Sequence, residues 1–192
     1  MKSAIGIVIC MWIVFGINTI IPYDLNQWGI VPRTMLGTTG IVTWSFLHGN
    51  FSHIFFNTIG LLILIPPIFA MHEKERGVDV IFGISLLAGL ITWIIGTHGI
   101  HIGASGLVYG LATYALWGSI KQRNLIAGLY SIGVMLAFGT TFLTGVIPRD
   151  GISWTGHIAG AIAGVVLAQG ISSDGHQPTK RAISSGTWFN SP

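Results

Sequence analysis

The sequence predicts an all-α integral membrane protein: a bundle of six transmembrane helices with a short, buried fourth helix and an interfacial first loop. Three observations predict it. Of 192 residues, 51% are hydrophobic and 8% charged, with a mean hydropathy of +0.72. A soluble domain averages about 25% charged residues, so this chain cannot cover itself with a water-compatible surface. Its apolar residues fall into six runs, at 4–21, 52–71, 78–97, 105–120, 125–147 and 153–171. With six crossings, Lys2, Lys74, Arg76, Lys121, Arg123, Lys180 and Arg181 share one side, leaving Arg33 and Arg149 opposite. Lys and Arg concentrate on the cytoplasmic side of membrane proteins, which places both termini in the cytoplasm. Losing any one span would scramble that division, so the charges also check the span count.

The first run, Ala4 to Ile21, follows Lys2 as a signal peptide would, but it is long and ends in Asn18-Thr19-Ile20-Ile21-Pro22, a poor cleavage region. It reads as an uncleaved span. Residues 22–51 are too polar to span and carry Tyr23, Trp28 and Trp44, aromatics of the kind that settle at the membrane–water boundary. The second run contains Pro66-Pro67, which predicts a bend or partial unwinding of its inner half. Residues 1–171 then form one membrane domain, and 172–192, rich in Ser, Gly and Pro, form a disordered cytoplasmic tail. The single Cys10 excludes an intramolecular disulfide framework, and a net charge of +3 is too dispersed for nucleic-acid binding.

The fourth span is the informative one. A serine set between glycines, Gly103-Ala104-Ser105-Gly106, opens it, and 16 residues separate Ser105 from Lys121. That is ~24 Å of helix, several ångströms short of a ~30 Å hydrocarbon core. Ser105 therefore belongs below the outer surface, and residues 98–104 must dip inward to reach it. Non-helical backbone at such depth is tolerated only inside protein or beside a water-filled cavity. The same ruler applied from His157 to Ser172 gives 15 residues, or ~22 Å, so serine and histidine lie at nearly equal depth. Gly106 and Gly110 on the fourth span, and Gly156, Gly160 and Gly164 on the sixth, form small-residue faces that let helix backbones approach closely. In the second span, His53 and Asn57 stand i, i+4 on one helix face; polar groups at such depth usually face a cavity or the bundle interior.

These residue types suit acyl transfer. A serine hydroxyl is a weak nucleophile until a neighbouring base takes its proton, and histidine has a suitable pKa. No Asp or Glu lies deep in a span to orient that base, so the arrangement is a Ser105–His157 dyad rather than a triad. His53, Asn57 and the Ser105 backbone N–H are candidate donors to a tetrahedral oxyanion. Tyr109, one turn below Ser105, is placed to pack against His157 or hydrogen-bond to it.

The motifs His53-xxx-Asn57, Gly103-Ala104-Ser105-Gly106 and Gly156-His157-xx-Gly160-xxx-Gly164, in this order and topology, resemble those of the rhomboid intramembrane serine proteases in their minimal six-span form. The resemblance covers roughly residues 1–171. It implies Ser105 as nucleophile, His157 as general base, His53 and Asn57 as oxyanion stabilisers and Tyr109 beside His157, with Gly103 and Gly106 in support. It also implies membrane-anchored protein substrates that enter sideways near the second and fifth spans and are cleaved near the outer end of their helix. No cofactor or metal is expected, and the lipid bilayer is the remaining partner; oligomeric state is not fixed. The chain departs from the family's Trp-Arg in the first loop, where it has Trp44-Ser45, which bears on how that loop is anchored. His48 fits the family's loop histidine, with a structural role.

Each residue alone has a plainer reading. Gly-x-Ser-Gly arises by chance in glycine-rich membrane helices, a lone histidine can be a packing or relay residue, and His53 and Asn57 can be interhelical glue. His48, His98 and His101 are read as loop caps rather than metal ligands. His72-Glu73-Lys74-Glu75-Arg76 lacks the second histidine of a zinc-protease helix. A catalytically silent relative that binds client membrane helices is the main alternative. A small transporter is disfavoured by the lack of a coupling carboxylate or an internal repeat. The absence of a targeting extension favours a prokaryotic plasma membrane, with the site opening to the outer face.

Overall fold

The helices of this chain carry large apolar side chains on both their inner and outer faces. On α1 (Lys2–Ile20) the residues Ile5, Ile9, Ile13 and Ile17 are exposed, and on α4 (Lys74–Ile95) Phe82, Leu86, Leu90 and Ile94 are exposed in the same four-residue rhythm. A helix packed on one side in water keeps polar residues on the other, so these stripes belong against lipid. The computed structural model describes residues 2–72, 74–137, 145–148 and 151–170. Among them are seven α-helices and no strand, with a single antiparallel bridge between Ile30 and His101. Two helical stretches, Phe51–Phe69 and Arg76–Ile95, are long and apolar enough to cross a membrane, and Ile5–Ile20, Leu125–Leu136 and Trp154–Ala168 are shorter apolar helices.

The remaining elements are α2 (Gly37–Thr43), α3 (Phe51–Met71), α5 (Ser105–Lys121), α6 (Leu125–Ala137) and α7 (Trp154–Ala168). The centre is α5, on which α3, α4, α6 and α7 all pack. Leu107, Val108, Leu111, Ala112, Tyr114 and Ala115 are buried along it. That all-round burial is what a helix surrounded by other helices requires, and it is why α5 can carry a polar first turn away from lipid.

The observed helices follow the apolar runs with three differences. The fifth run, expected to continue to 147, is helical over Leu125–Ala137, while residues 145–147 form a turn; 138–144 lie outside the described residues, as does the tail from 171. The helix α3 continues through Pro66 and Pro67 to Met71 instead of unwinding. A proline at position 67 deprives the Ile63 carbonyl of its usual i→i−4 donor, and the Tyr130 hydroxyl of α6 donates to that oxygen at 3.0 Å. Finally, the first loop is more structured than its composition predicts: α2 and two short 3-10 turns at Leu25–Trp28 and Trp44–Phe46 fold it onto α4.

Arg33 anchors that loop, its guanidinium donating to the carbonyls of Ile94 (3.2 Å) and Gly96 (2.8 Å) at the end of α4. Those carbonyls have no intrahelical donor, so a cation there also meets the negative end of the helix dipole. The hydroxyls of Ser45 and Ser85 share a hydrogen bond of 2.8 Å. This is how the loop is held without an arginine after Trp44.

Candidate active site

Asn50 starts the site by capping α3, its side-chain oxygen accepting the His53 backbone N–H at 2.9 Å. A side-chain acceptor at this position satisfies one of the orphan donors of a helix start, and it fixes the turn that carries His53. One turn on, Asn57 is buried and its amide nitrogen lies 3.0 Å from His48 Nε2. The His48 ring has its other nitrogen, Nδ1, 3.3 Å from the Phe46 carbonyl. A carbonyl only accepts, so Nδ1 carries the proton and Nε2 offers a lone pair to the Asn57 amide. One N–H of Asn57 is thereby committed to His48, which orients the second.

Gly103 joins these groups to α5. Its φ of +108° is left-handed backbone that glycine adopts freely, and a Cβ there would strike the His53 imidazole and lie 3.4 Å from the Asn57 amide nitrogen. The Gly103 N–H donates to the Trp44 carbonyl at 2.8 Å. Ser105 is the first residue of α5, so its backbone N–H is among those a helix leaves without an internal acceptor. Beyond this turn α5 and α7 approach backbone to backbone at their glycines. A Cβ on Gly160 would collide with the Gly106 carbonyl, and one on Gly164 with the Gly110 carbonyl.

The approach of those backbones puts His157 Nε2 2.8 Å from Ser105 Oγ. The other ring nitrogen, Nδ1, is 2.6 Å from the Gly145 carbonyl. Because that oxygen can only accept, Nδ1 holds the proton and Nε2 is the free base facing the serine. The backbone carbonyl thus does the orienting that a carboxylate does in a triad. Tyr109 stacks on the His157 ring with centroids 4.4 Å apart and planes 6° from parallel. It is the packing arrangement, of the two the sequence left open, that the ring contact displays.

Ser105, His157, His53, Asn57 and Tyr109 all line one cavity of about 1010 Å³. Gly103 and Gly106 are not among the residues that line it; Gly103 packs beside the His53 ring and Gly106 beside Trp44 and the Gly156 carbonyl. The ring of His98 is exposed, whereas His101 is buried and donates from Nε2 to the Thr97 carbonyl at 2.9 Å. Three contributions were invisible in the sequence: the Gly145 carbonyl, the His48 lock on Asn57 and the Trp44 ring against Gly106. Main-chain acceptors leave no residue-type signal, and the other two need the loop's fold to be known.

Comparison with known proteins is consistent with these motifs. The family model described as the Rhomboid domain matches residues 37–173. The chain is 36% identical over 163 residues to the uncharacterized protein Rv1337 of Mycobacterium tuberculosis, covering 78% of this chain and 65% of that protein. A Mycobacterium leprae protein, uncharacterized protein ML1171, is 36% identical over 145 residues, covering 70% and 56%. A Bacillus subtilis protein named "Putative rhomboid protease YdcA" is 25% identical over 129 residues, covering 67% and 64%. The chain therefore spans between 56% and 65% of the length of these relatives.

Proposed function

Since the chain belongs to the rhomboid family of intramembrane serine proteases, we propose that it hydrolyses peptide bonds in or near the transmembrane segments of membrane-anchored substrates. The observation that carries this reading is the 2.8 Å approach of His157 Nε2 to Ser105 Oγ, in the tautomer that leaves Nε2 able to accept a proton. Family membership and the apolar helices make the chain an integral membrane protein. In the full proposal it has six spans, cytoplasmic termini and a site that opens to the outer face.

The chemistry runs through this chain's own groups. Ser105 Oγ attacks the scissile carbonyl carbon while its proton passes to His157 Nε2. The carbonyl oxygen becomes an oxyanion, and His53, the second N–H of Asn57 and the Ser105 backbone N–H are the donors available to it. Collapse of the tetrahedral intermediate breaks the C–N bond, and the imidazolium gives its proton to the departing amine. A water then repeats the sequence on the acyl ester, restoring both side chains. The Gly145 carbonyl stabilises the imidazolium that forms in each half, since it accepts from Nδ1 in either charge state.

The test is reconstitution of wild type and Ser105→Ala with a panel of single-span substrates. Wild type is expected to cleave and the variant to lose at least about a thousandfold in rate. Product from both proteins, or from neither, rejects the dyad. A fluorophosphonate should label Ser105, and labelling should fall steeply in His157→Ala; equal labelling removes His157 as the base.

A further inference from the structure

A second serine–histidine contact stands four residues ahead of the first in both segments, and it is the first with its partners exchanged. His101 Nδ1 lies 2.6 Å from Ser153 Oγ, across 52 residues, the same separation that joins Ser105 to His157. His101 comes four residues before Ser105, and Ser153 four residues before His157. Each pair therefore takes one residue from the segment leading into α5 and one from the start of α7. The reaction uses neither member of the outer pair.

The outer pair is built with care. His101 is 4% exposed, and its Nε2 donates to the Thr97 carbonyl at 2.9 Å. That leaves Nδ1 as an acceptor, so the Ser153 hydroxyl is the donor. Burial pushes the His101 pKa down, which keeps this lone pair in place. The His101 backbone is fixed as well, its N–H donating to the Ile30 carbonyl at 2.8 Å and its carbonyl accepting from the Ile30 N–H at 3.0 Å.

Ser153 is the N-cap residue of α7, where a serine hydroxyl ordinarily accepts from the helix's own free N–H groups. Here it makes no such bond and is turned to His101 instead. Its carbonyl still begins the helix, accepting the His157 N–H at 3.0 Å. A force applied to Ser153 is thus transmitted directly to the residue that carries the base.

We propose that His101 and Ser153 form a positioning strut that sets the approach of His157 to Ser105. This rests on reading Ser105 and His157 as the catalytic pair. The glycine faces bring α5 and α7 together from Gly106 and Gly156 inward, while the His101–Ser153 bond joins the two segments just ahead of that contact. Near its start α7 connects to residues 145–153, a stretch without regular helix where it is described. The strut closes that end, tying the α7 start to a histidine whose main chain is already paired with the first loop. Two hydrogen bonds four residues apart then define both position and direction, where the dyad contact alone defines a single distance. An enzyme needs its nucleophile and base held to a fraction of an ångström, and small misplacements cost rate rather than binding.

The experiment compares Ser153→Ala, Ser153→Thr, His101→Phe and the Ser153→Ala/His101→Phe double variant with wild type, in proteoliposomes with a single-span substrate. Ser153→Ala is expected to lower kcat about tenfold with KM within twofold, and Ser153→Thr, which keeps the hydroxyl, to restore it. His101→Phe should match Ser153→Ala, and the double variant should be no slower than the worse single one, because each change breaks the same bond. Multiplying effects, or a change confined to KM, overturns the strut. A readout free of catalysis accompanies this. Amide hydrogen exchange of the purified full chain should quicken in both 98–106 and 151–158 when Ser153 becomes Ala. Unchanged exchange, or quickening in 151–158 alone, also overturns it. A wild type that cleaves nothing counts against the proteolytic reading, while the exchange data still decide whether the strut exists.

Discussion

The seam between α5 and α7 and the link between α6 and α3 are made in opposite ways. At the first, glycines let backbones touch, so that any Cβ on Gly160 or Gly164 would meet a main-chain carbonyl of α5. Across the second, the described part of α6 leans on α5, and the Tyr130 hydroxyl reaches the Ile63 carbonyl of α3. Backbone contact is rigid because neither partner has a rotamer to change; a side-chain tether can let go. The proposed dyad is drawn from the rigid seam, Ser105 from α5 and His157 from α7. The cavity, by contrast, extends along α3 past Phe56 and Ile59 to Ile63. The molecule thus separates the part that must hold still from the part beside which a substrate would have to fit.

Filling the rigid seam is the most damaging change this comparison predicts. Gly160→Val places side-chain carbons where the Gly106 carbonyl stands, and overpacking typically costs about 1–3 kcal/mol, more when the obstacle is backbone that cannot rotate away. The helices must part, so cleavage should fall more than about a hundredfold, since misplacement of reacting groups alone can cost that much. Thermal unfolding in micelles should show the matching loss of stability. The control is Gly133→Ala on α6, where an added Cβ meets nothing within 4 Å. It should leave unfolding unchanged or slightly raise it, given alanine's higher helix propensity. Equal damage at both positions would remove the distinction between the two sides.

Next in size is Asn57→Ala. Losing one donor to an oxyanion typically costs about 10²–10³ in kcat, and KM should move little because the ground-state carbonyl is held less tightly than the oxyanion. A tenfold rise in KM at constant kcat would make Asn57 a binding residue instead.

The same amide governs a pH effect outside the spans. His48 faces the Asn57 amide at Nε2, with the Ala104 N–H at 3.5 Å on the same atom. Protonating Nε2 would turn an acceptor into a third donor among donors. Burial first, and then the neighbouring His53, lower the His48 pKa from 6.5 to about 3, while its bond to the Phe46 carbonyl pulls the other way. A histidine depressed in the folded state contributes stability that is fully present above its unfolded pKa. That stability is lost as pH falls from 6.5 toward 3, because the unfolded chain takes up the proton first. Unfolding temperatures measured across this window should drop with acid, and His48→Gln should flatten the slope. An unchanged slope would place the acid sensitivity elsewhere.

How much of this could be read in advance follows the chemistry of each signal. Apolar runs mark helices because lipid selects them residue by residue, so α3, α4, α5 and α7 fall close to their expected bounds. Equal depth and facing glycines similarly anticipate the meeting of Ser105 and His157, since helix rise is fixed and small residues have one use at such a seam. The first loop resisted. Nothing in Gly37–Thr43 announces a helix, and Arg33 finds α4 carbonyls 61 and 63 residues away, which only the fold brings near. The Gly145 carbonyl and the His101–Ser153 contact were hidden for a related reason. The first is main chain, and the second uses residue types that a loop and a helix start carry for ordinary purposes.

The smallest effect is the one that tests the side-chain tether. Proline at 67 has no N–H to offer Ile63, so the carbonyl must be satisfied from outside its helix, and the Tyr130 hydroxyl does so at 3.0 Å. Tyr130→Phe removes the hydroxyl and leaves that oxygen bare. Interhelical hydrogen bonds in membranes are worth about 0.6 kcal/mol on average and up to about 1.7, so the loss should be about 1 kcal/mol, or 2–4 °C in Tm for a chain of this size. Pro67→Ala changes the arithmetic, because it restores an N–H that can bond Ile63 within α3. In that background Tyr130→Phe should cost less than half as much. If the penalty is the same with proline or alanine at 67, Tyr130 is held to α3 by its ring and the hydroxyl is incidental. A smaller penalty with alanine ties the α3–α6 tether to the proline that made room for it.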